Sequence, residues 1–272
     1  LALVRQWRTA IGAAGDPAIR RQLLRYGLPL AATAALDYVV STSDRLLLGT
    51  MISPEAAGLY SPAYDLCQQA LWALMIIVNL AGYPLAIRAV ESGHPETKDR
   101  QFRQHFVLLL AVALPAAAGL AVLAPSLSGL LGPRFAPAAT RLLPILSMAI
   151  LFGGLKSYYF DLSFQLGYAT RMQLYTVIAA AGLNLLLNLW WIPRQGIIGA
   201  AWATLTAYAM ALVLSWLLSR RVLRLPVPLA DAGRVLMAAT GMVLVLLPLR
   251  SRTGGPWIAL QVAIGAIVYA GL

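Results

Sequence analysis

Cysteine is almost absent from this chain, and so is histidine. One thiol, Cys67, and two imidazoles, His94 and His105, are all that 272 residues carry. A lone cysteine excludes an intrachain disulfide and a multi-cysteine metal site. Neither histidine stands at zinc-ligand spacing from another donor, so no metal is expected and the thiol reads as packing. Charge is scarce as well: 11% of residues are ionised, with 10 acids against 21 lysines and arginines, where a soluble domain carries about 25% charged residues. No Ser-His-Asp arrangement, paired acids in a polar cleft or phosphate-cradling glycine loop occurs. Neither an enzyme nor a bound cofactor is expected, and no stretch is polar enough for a soluble domain.

What fills the chain is apolar surface, with 60% hydrophobic residues and a mean hydropathy of +0.74. Uncharged runs cover 66–87, 106–127, 172–192 and 197–218, each close to the ~20 residues that span a bilayer as a helix. Four more segments qualify less cleanly: 27–48 and 139–166 carry charges, 235–249 is short, and 256–272 stops at the chain end. The expectation is an all-α integral membrane protein of about eight transmembrane helices. The chain opens on Leu1, lacks the run of a signal peptide and closes inside an apolar run, so it reads as a segment of a longer protein.

Alternate connections differ in charge. Fourteen basic residues fall on one side: Arg5, Arg8, Arg20, Arg21 and Arg25, then Arg88, Lys98, Arg100 and Arg103, then Arg171, then Arg220, Arg221, Arg224 and Arg234. Five fall on the other, namely Arg134, Arg141, Arg194, Arg250 and Arg252. The positive-inside rule places the N-terminal end of this segment in the cytoplasm. The same arginines suit anionic lipid headgroups and do not point to nucleic acid. Val4, Trp7 and Ile11 lie at i, i+3 and i+7 between arginines, which suits either an amphipathic helix on the inner membrane face or a frayed tail. Asp16-Pro17 and Ser53-Pro54-Glu55 are helix-start signals, and 94–103 reads as a polar loop. Pro29, Pro84, Pro115, Pro144 and Pro248 lie in or beside spans, marking either kinked helices able to rock or ordinary packing irregularity.

Polar groups at membrane depth are the candidate site. Thr33, Asp37, Ser41 and Asp44 share one stripe of the first span. A charge at that depth costs ~2.5–3.5 kcal/mol on insertion scales and calls for a partner or a wet cavity. Asp37 reads either as a cavity-facing proton or cation coupling group or as half of a structural pair. Lys156, with Tyr159 and Ser163 at i+3 and i+7, forms a second polar face, and Asp161 lies nearer the cytoplasmic end. Lys156 either attracts a phosphate as a point charge or neutralises Asp37. Asp44-Arg45 reads as a cap and anchor at the outer end of the first helix. Asn184 and Asn188, one turn apart, either bond a neighbouring helix or line a cavity. Pro193 is expected to stop that helix. Gly199, Ala200, Ala201, Ala203, Thr204 and Ala207 then give the next helix a small-residue packing face.

The pattern through Asn184, Asn188, Ile192, Pro193, Gly196, Gly199, Ala200, Ala201, Ala203 and Thr204 resembles the multidrug/oligosaccharidyl-lipid/polysaccharide exporter (MOP) superfamily. Tyr26-Gly27-Leu28-Pro29, Asp44-Arg45 with Leu48-Gly49, Gly58-Leu59-Tyr60 with Tyr64, and Pro84 are similar to its polysaccharide transporter branch, the Wzx-type flippases. The resemblance implies one lobe of a two-lobed alternating-access transporter plus two extra helices, the seventh to fourteenth of fourteen. Residues 1–25 would be a cytoplasmic connector, 26–220 the six-helix C-terminal lobe and 221–272 the two additional helices. It implies flipping of polyprenyl-diphosphate-linked oligosaccharide, an O-antigen or exopolysaccharide repeat unit, across the bacterial inner membrane, usually coupled to an ion gradient. The implied partners are that lipid-linked substrate, membrane lipids, the N-terminal lobe that this chain lacks and other polysaccharide assembly proteins. Asp44, Arg45, Gly58, Tyr60, Pro193 and Gly199 stand on the motifs as structural positions. Asp37, Lys156, Asp161, Asn184 and Asn188 are the candidate substrate or ion pathway residues; of these Asn184 and Asn188 stand on the motif, while Asp37 and Lys156 follow from their depth in the membrane alone.

A scaffold with no transport activity stays open at this point, because a lone lobe cannot enclose a two-lobed cavity, and so do two other functions. One is a small-molecule cation or drug antiporter of the same superfamily, which the Asp44-Arg45 and Gly58-Leu59-Tyr60 matches disfavour. The other is a membrane polymerase or ligase of the glycan pathway, against which the short outer loops speak.

Overall fold

The computed structural model describes residues 17–250 and 254–272. The amphipathic Val4-Trp7-Ile11 segment, the Asp16 cap and Arg252 lie outside the described residues. Helix α1 (Pro17–Met51) is followed by α2 (Pro54–Glu91) and α3 (Pro95–Val122), then a short α4 (Ala124–Ser128). Next come α5 (Ala136–Leu155), a π-helical turn at Lys156–Phe160, α6 (Asp161–Leu166), α7 (Thr170–Gln195), α8 (Ile197–Val222), α9 (Leu229–Leu246) and α10 (Gly255–Gly271). Among the described residues there is no strand, and the helices follow the eight apolar segments of the sequence. Among the described residues six helices are long and apolar enough to cross a membrane: α2, α3, the composite Ala136–Leu166, α7, α8 and Leu229–Leu249. Helix α10 is apolar but shorter. Helix α1 has 35 residues, about 52 Å at 1.5 Å each; length is no obstacle there, and its arginines and aspartates dilute its apolar character. The protein is a multi-pass membrane protein.

Local signals explain most boundaries. Ser53 caps α2, its side chain accepting from the Ala56 amide at 3.2 Å with proline in the first turn. Helix α3 starts at Pro95 with Glu96 in its first turn, so most of the segment expected to be a polar loop at 94–103 is helix. Proline at the first position loses no needed amide, and an acid there meets the positive helix end. The apolar run 106–127 breaks at Leu123, where Pro125 supplies no amide to continue the ladder. Pro193 does not stop α7, which continues to Gln195. Gly196 ends it, at φ +60° and ψ −137°, a backbone conformation open to glycine and strained for other residues.

Helix α5 sits centrally, packed against α2, α3 and α8, while α7 packs on α8 and α1. Helix α9 joins through α3 and carries α10. The shared core includes Tyr64, Leu71, Met75, Leu109, Leu142 and Leu146, with Cys67 among them. Gly199 lets α8 press onto the backbone of α7, because a Cβ there would stand 2.5 Å from the Trp191 carbonyl oxygen. Many large apolar side chains face outward, such as Leu28, Leu80, Leu186 and Met237. That is the expected surface of a bundle solvated by lipid.

Candidate functional site

Two polar nodes lie inside this apolar bundle. At the first, the Asp44 carboxylate of α1 is fully buried and collects donors from three other helices. One oxygen accepts from Asn188 Nδ2 of α7 at 2.6 Å and Asn184 Nδ2 at 3.3 Å. The other accepts from Tyr60 Oη of α2 at 2.9 Å and from the Thr204 hydroxyl of α8. The asparagines also bond each other, Asn188 donating to Asn184 Oδ1 at 3.0 Å, and Ser43 donates to that same oxygen at 3.1 Å. Burying a carboxylate is costly unless its lone pairs are satisfied, and here four donors satisfy them. The helices must therefore keep their mutual positions for the charge to stay solvated by protein.

This arrangement corrects the reading of Asp44 as a helix cap. Helix α1 runs seven residues past it to Met51, so Asp44 is an interior residue and a four-helix junction. Arg45, its neighbour, turns to the other side. It forms an ion pair with Asp65 of α2 and places its guanidinium 5.2 Å from the centre of the Tyr64 ring. Gly58 is an open position on α2, where an added Cβ would meet nothing within 4 Å.

The second node is built by the π-turn. Lys156 and Asp161 are five residues apart, a spacing that in an α-helix would set the side chains about 140° from each other. The Asp161 amide bonds to the Lys156 carbonyl, and that wider turn brings the two onto one face. Lys156 Nζ donates to Asp161 Oδ2 at 2.6 Å, with both side chains almost wholly buried. Ser215 of α8 donates to the other carboxylate oxygen at 3.0 Å. Below the pair, Ser163 bonds the Ser219 and Leu223 carbonyls and the Leu223 amide, and Tyr159 donates to the Pro226 carbonyl. The polar face of this span thus holds the connection between α8 and α9.

Asp37 lies between the nodes. It lines a narrow cleft with Trp72, Lys156, Ser157 and Tyr208, with room for about one water molecule. Among the described residues Asp37 makes no ion pair; the Lys156 ammonium on the cleft wall is held by Asp161 instead. The site residues expected from the sequence therefore fall into a group around Asp44 with Asn184 and Asn188, and a group of Asp37, Lys156 and Asp161.

Residues 2–125 match the model of a family described as "Polysaccharide biosynthesis protein". That segment contains Asp37, Asp44, Arg45 and Tyr60. No curated protein sequence matches the chain. Among solved structures, "Lipid II flippase MurJ, inward closed conformation" is similar with a TM-score of 0.71 and 16% identity, over 85% of this chain and 50% of that one. The N-terminal part of the chain is thus similar to a polysaccharide biosynthesis family, and its fold is similar to that of a lipid flippase. An outward-facing multidrug resistance MATE family transporter of the MOP superfamily is similar in fold at TM-score 0.60 and 18% identity, over 86% of this chain and 55% of that one. A MOP superfamily transporter from Pyrococcus furiosus is likewise similar at 0.60 and 17%, over 94% and 63%. At these identities the structures speak for the fold alone. The chain spans between half and two thirds of their lengths.

Sequence reasoning named most members of both nodes without joining them. Helical spacing put Asp44 on the Asp37 stripe, but nothing local links it to Thr204, 160 residues on. Asp65 and Ser215 were not singled out. Asp65 had one usable signal: a carboxylate just after the Tyr64 of the motif, on the helix that follows Arg45.

Proposed function

We propose that this chain is a member of the MOP superfamily, the C-terminal part of a flippase that moves polyprenyl-diphosphate-linked oligosaccharide across the bacterial inner membrane by alternating access. Residues 26–220 form its six-helix lobe, 221–272 are the two additional helices, and the N-terminal end faces the cytoplasm. The observation that carries the reading is the family match over residues 2–125 on a bundle whose ionisable groups sit inside an apolar interior. Passage of a charged headgroup needs such groups at membrane depth. The fold likeness to a lipid II flippase supports a lipid-linked substrate. Within the lobe, the Asp44 junction keeps α1, α2, α7 and α8 together as a rocking body. Asp37, facing the cleft beside Lys156, is the group whose charge couples translocation to an ion gradient.

The test is reconstitution of the protein in liposomes with a labelled lipid-linked oligosaccharide. Flipping under an imposed ion gradient is expected. Asp37→Asn abolishes it while expression and folding stay intact; full activity of that variant would remove the coupling role. Transport of cationic drugs with no movement of the lipid-linked sugar would replace the reading with the antiporter alternative.

A further inference from the structure

A groove runs between the third to fifth turns of α1 and the first turns of α7, at the end of the bundle that the proposed orientation places in the cytoplasm. Its mouth holds Arg25 and Arg171, and its walls are apolar, formed by Leu28, Pro29, Ala32 and Leu174 among others. The two arginines are held beside each other by the chain next to them. Thr170 Oγ1 donates to the Tyr26 carbonyl at 2.9 Å, and the rings of Tyr26 and Tyr168 lie 5.8 Å apart. Arg25 precedes the first of these bonded residues and Arg171 follows the second, so the bond fixes both at one level.

Their charge is uncompensated. No carboxylate lines the groove, and neither arginine makes an ion pair among the described residues. Three other arginines of this end are engaged: Arg103 and Arg234 share Asp231, and Arg220 lies over the Trp216 ring. A second arginine cleft, beside Pro226–Pro228, carries Asp99 in its lining. The start of α7 adds the positive end of a 26-residue helix to the mouth of the first groove.

Two guanidiniums bind phosphate oxygens in bidentate fashion, and an apolar wall next to them takes a hydrocarbon chain. We propose that this groove is a docking site for the polyprenyl diphosphate end of the lipid-linked substrate. The diphosphate sits between Arg25 and Arg171, and the first isoprenoid units lie along Leu28, Pro29, Ala32 and Leu174. The inference rests on the flippase reading, which supplies a lipid with two adjacent phosphates for two cations. A phospholipid offers one. The groove collects substrate from the inner leaflet before it meets the polar interior of the bundle.

The experiment uses the purified protein in phosphatidylcholine nanodiscs and a fluorescent polyprenyl diphosphate as probe. Arg25→Gln and Arg171→Gln each weaken binding roughly tenfold, as loss of one charge-assisted contact does, and together by more. Arg→Lys variants recover part of the loss. Both side chains are exposed, so thermal unfolding stays at the wild-type value. Unchanged affinity in the double Gln variant overturns the site. Equal competition by phosphatidylglycerol also overturns it, in favour of an ordinary phospholipid contact. Flipping by the wild-type protein, measured in parallel, separates the two claims. Flipping without arginine-dependent binding removes the groove and leaves the function, whereas arginine-dependent binding without flipping keeps the groove and removes the function.

Discussion

Replacing Asp44 tests the junction most directly. In Asp44→Ala, Tyr60 and Asn188 lose the acceptor of one proton each, and Asn184 loses its longer contact. Thr204 retains the Ala200 carbonyl at 3.1 Å. Each orphaned buried donor costs about 1–3 kcal/mol. Removal of the carboxylate returns part of its own burial cost, so we expect a net loss of about 3–5 kcal/mol, in the range seen when one partner of a buried charged set is deleted. Asp44→Asn behaves differently. Its oxygen keeps the two asparagine amides, and its amide group faces the Tyr60 and Thr204 hydroxyls, which rotate to accept. Thr204 then turns its proton to the Ala200 carbonyl while the Tyr60 proton loses its acceptor, so with the loss of charge assistance the cost is about 2–3 kcal/mol. Denaturant unfolding in detergent micelles, followed by the fluorescence of the seven tryptophans, measures both. An alanine variant within ~1 kcal/mol of wild type, or an asparagine variant less stable than alanine, would refute the reasoning.

The Lys156–Asp161 pair should be strongly non-additive. Lys156→Met leaves a buried carboxylate with Ser215 as its remaining donor and costs about 3–5 kcal/mol, whereas Lys156→Met with Asp161→Leu recovers most of that; a double-mutant cycle with no coupling would contradict the pairing. At the α7–α8 turn, Gly196→Ala should destabilise by about 1–3 kcal/mol, because the φ of +60° is retained only under strain. Equal unfolding midpoints for that variant and wild type would show that the turn relaxes.

Composition and apolar run length were enough to read the helical membrane fold, since both report directly on the solvent around the chain. Helix ends were legible where a cap or proline acts locally, as at Ser53-Pro54, and misread where the decisive group was a neighbouring residue. Gly196 took the place of Pro193, and the start of α3 moved into the apparent loop. The polar nodes were legible as residues but not as groups. A 3.6-residue period sorts side chains onto faces, and the π-turn at Lys156–Phe160 departs from that period, so the Lys156–Asp161 pair was hidden from it. The Asp44 junction was hidden for another reason. Its members lie on four helices, and sequence periodicity within one helix carries no information about which face meets which neighbour.

The distance in sequence between the two ends of that junction has a consequence for biosynthesis. Thr204 is made 160 residues after Asp44, and at about 5–20 residues per second this is roughly 8–32 s of synthesis. Until Asn184 is made, 140 residues after Asp44, Tyr60 is the one junction donor already made on another helix. The Asp44 carboxylate therefore lacks most of its donors until α7 and α8 are made, and a charge at membrane depth without them is costly. A ribosome stalled before Asn184 would leave a charged helix without its partners, a form that membrane proteases are equipped to remove.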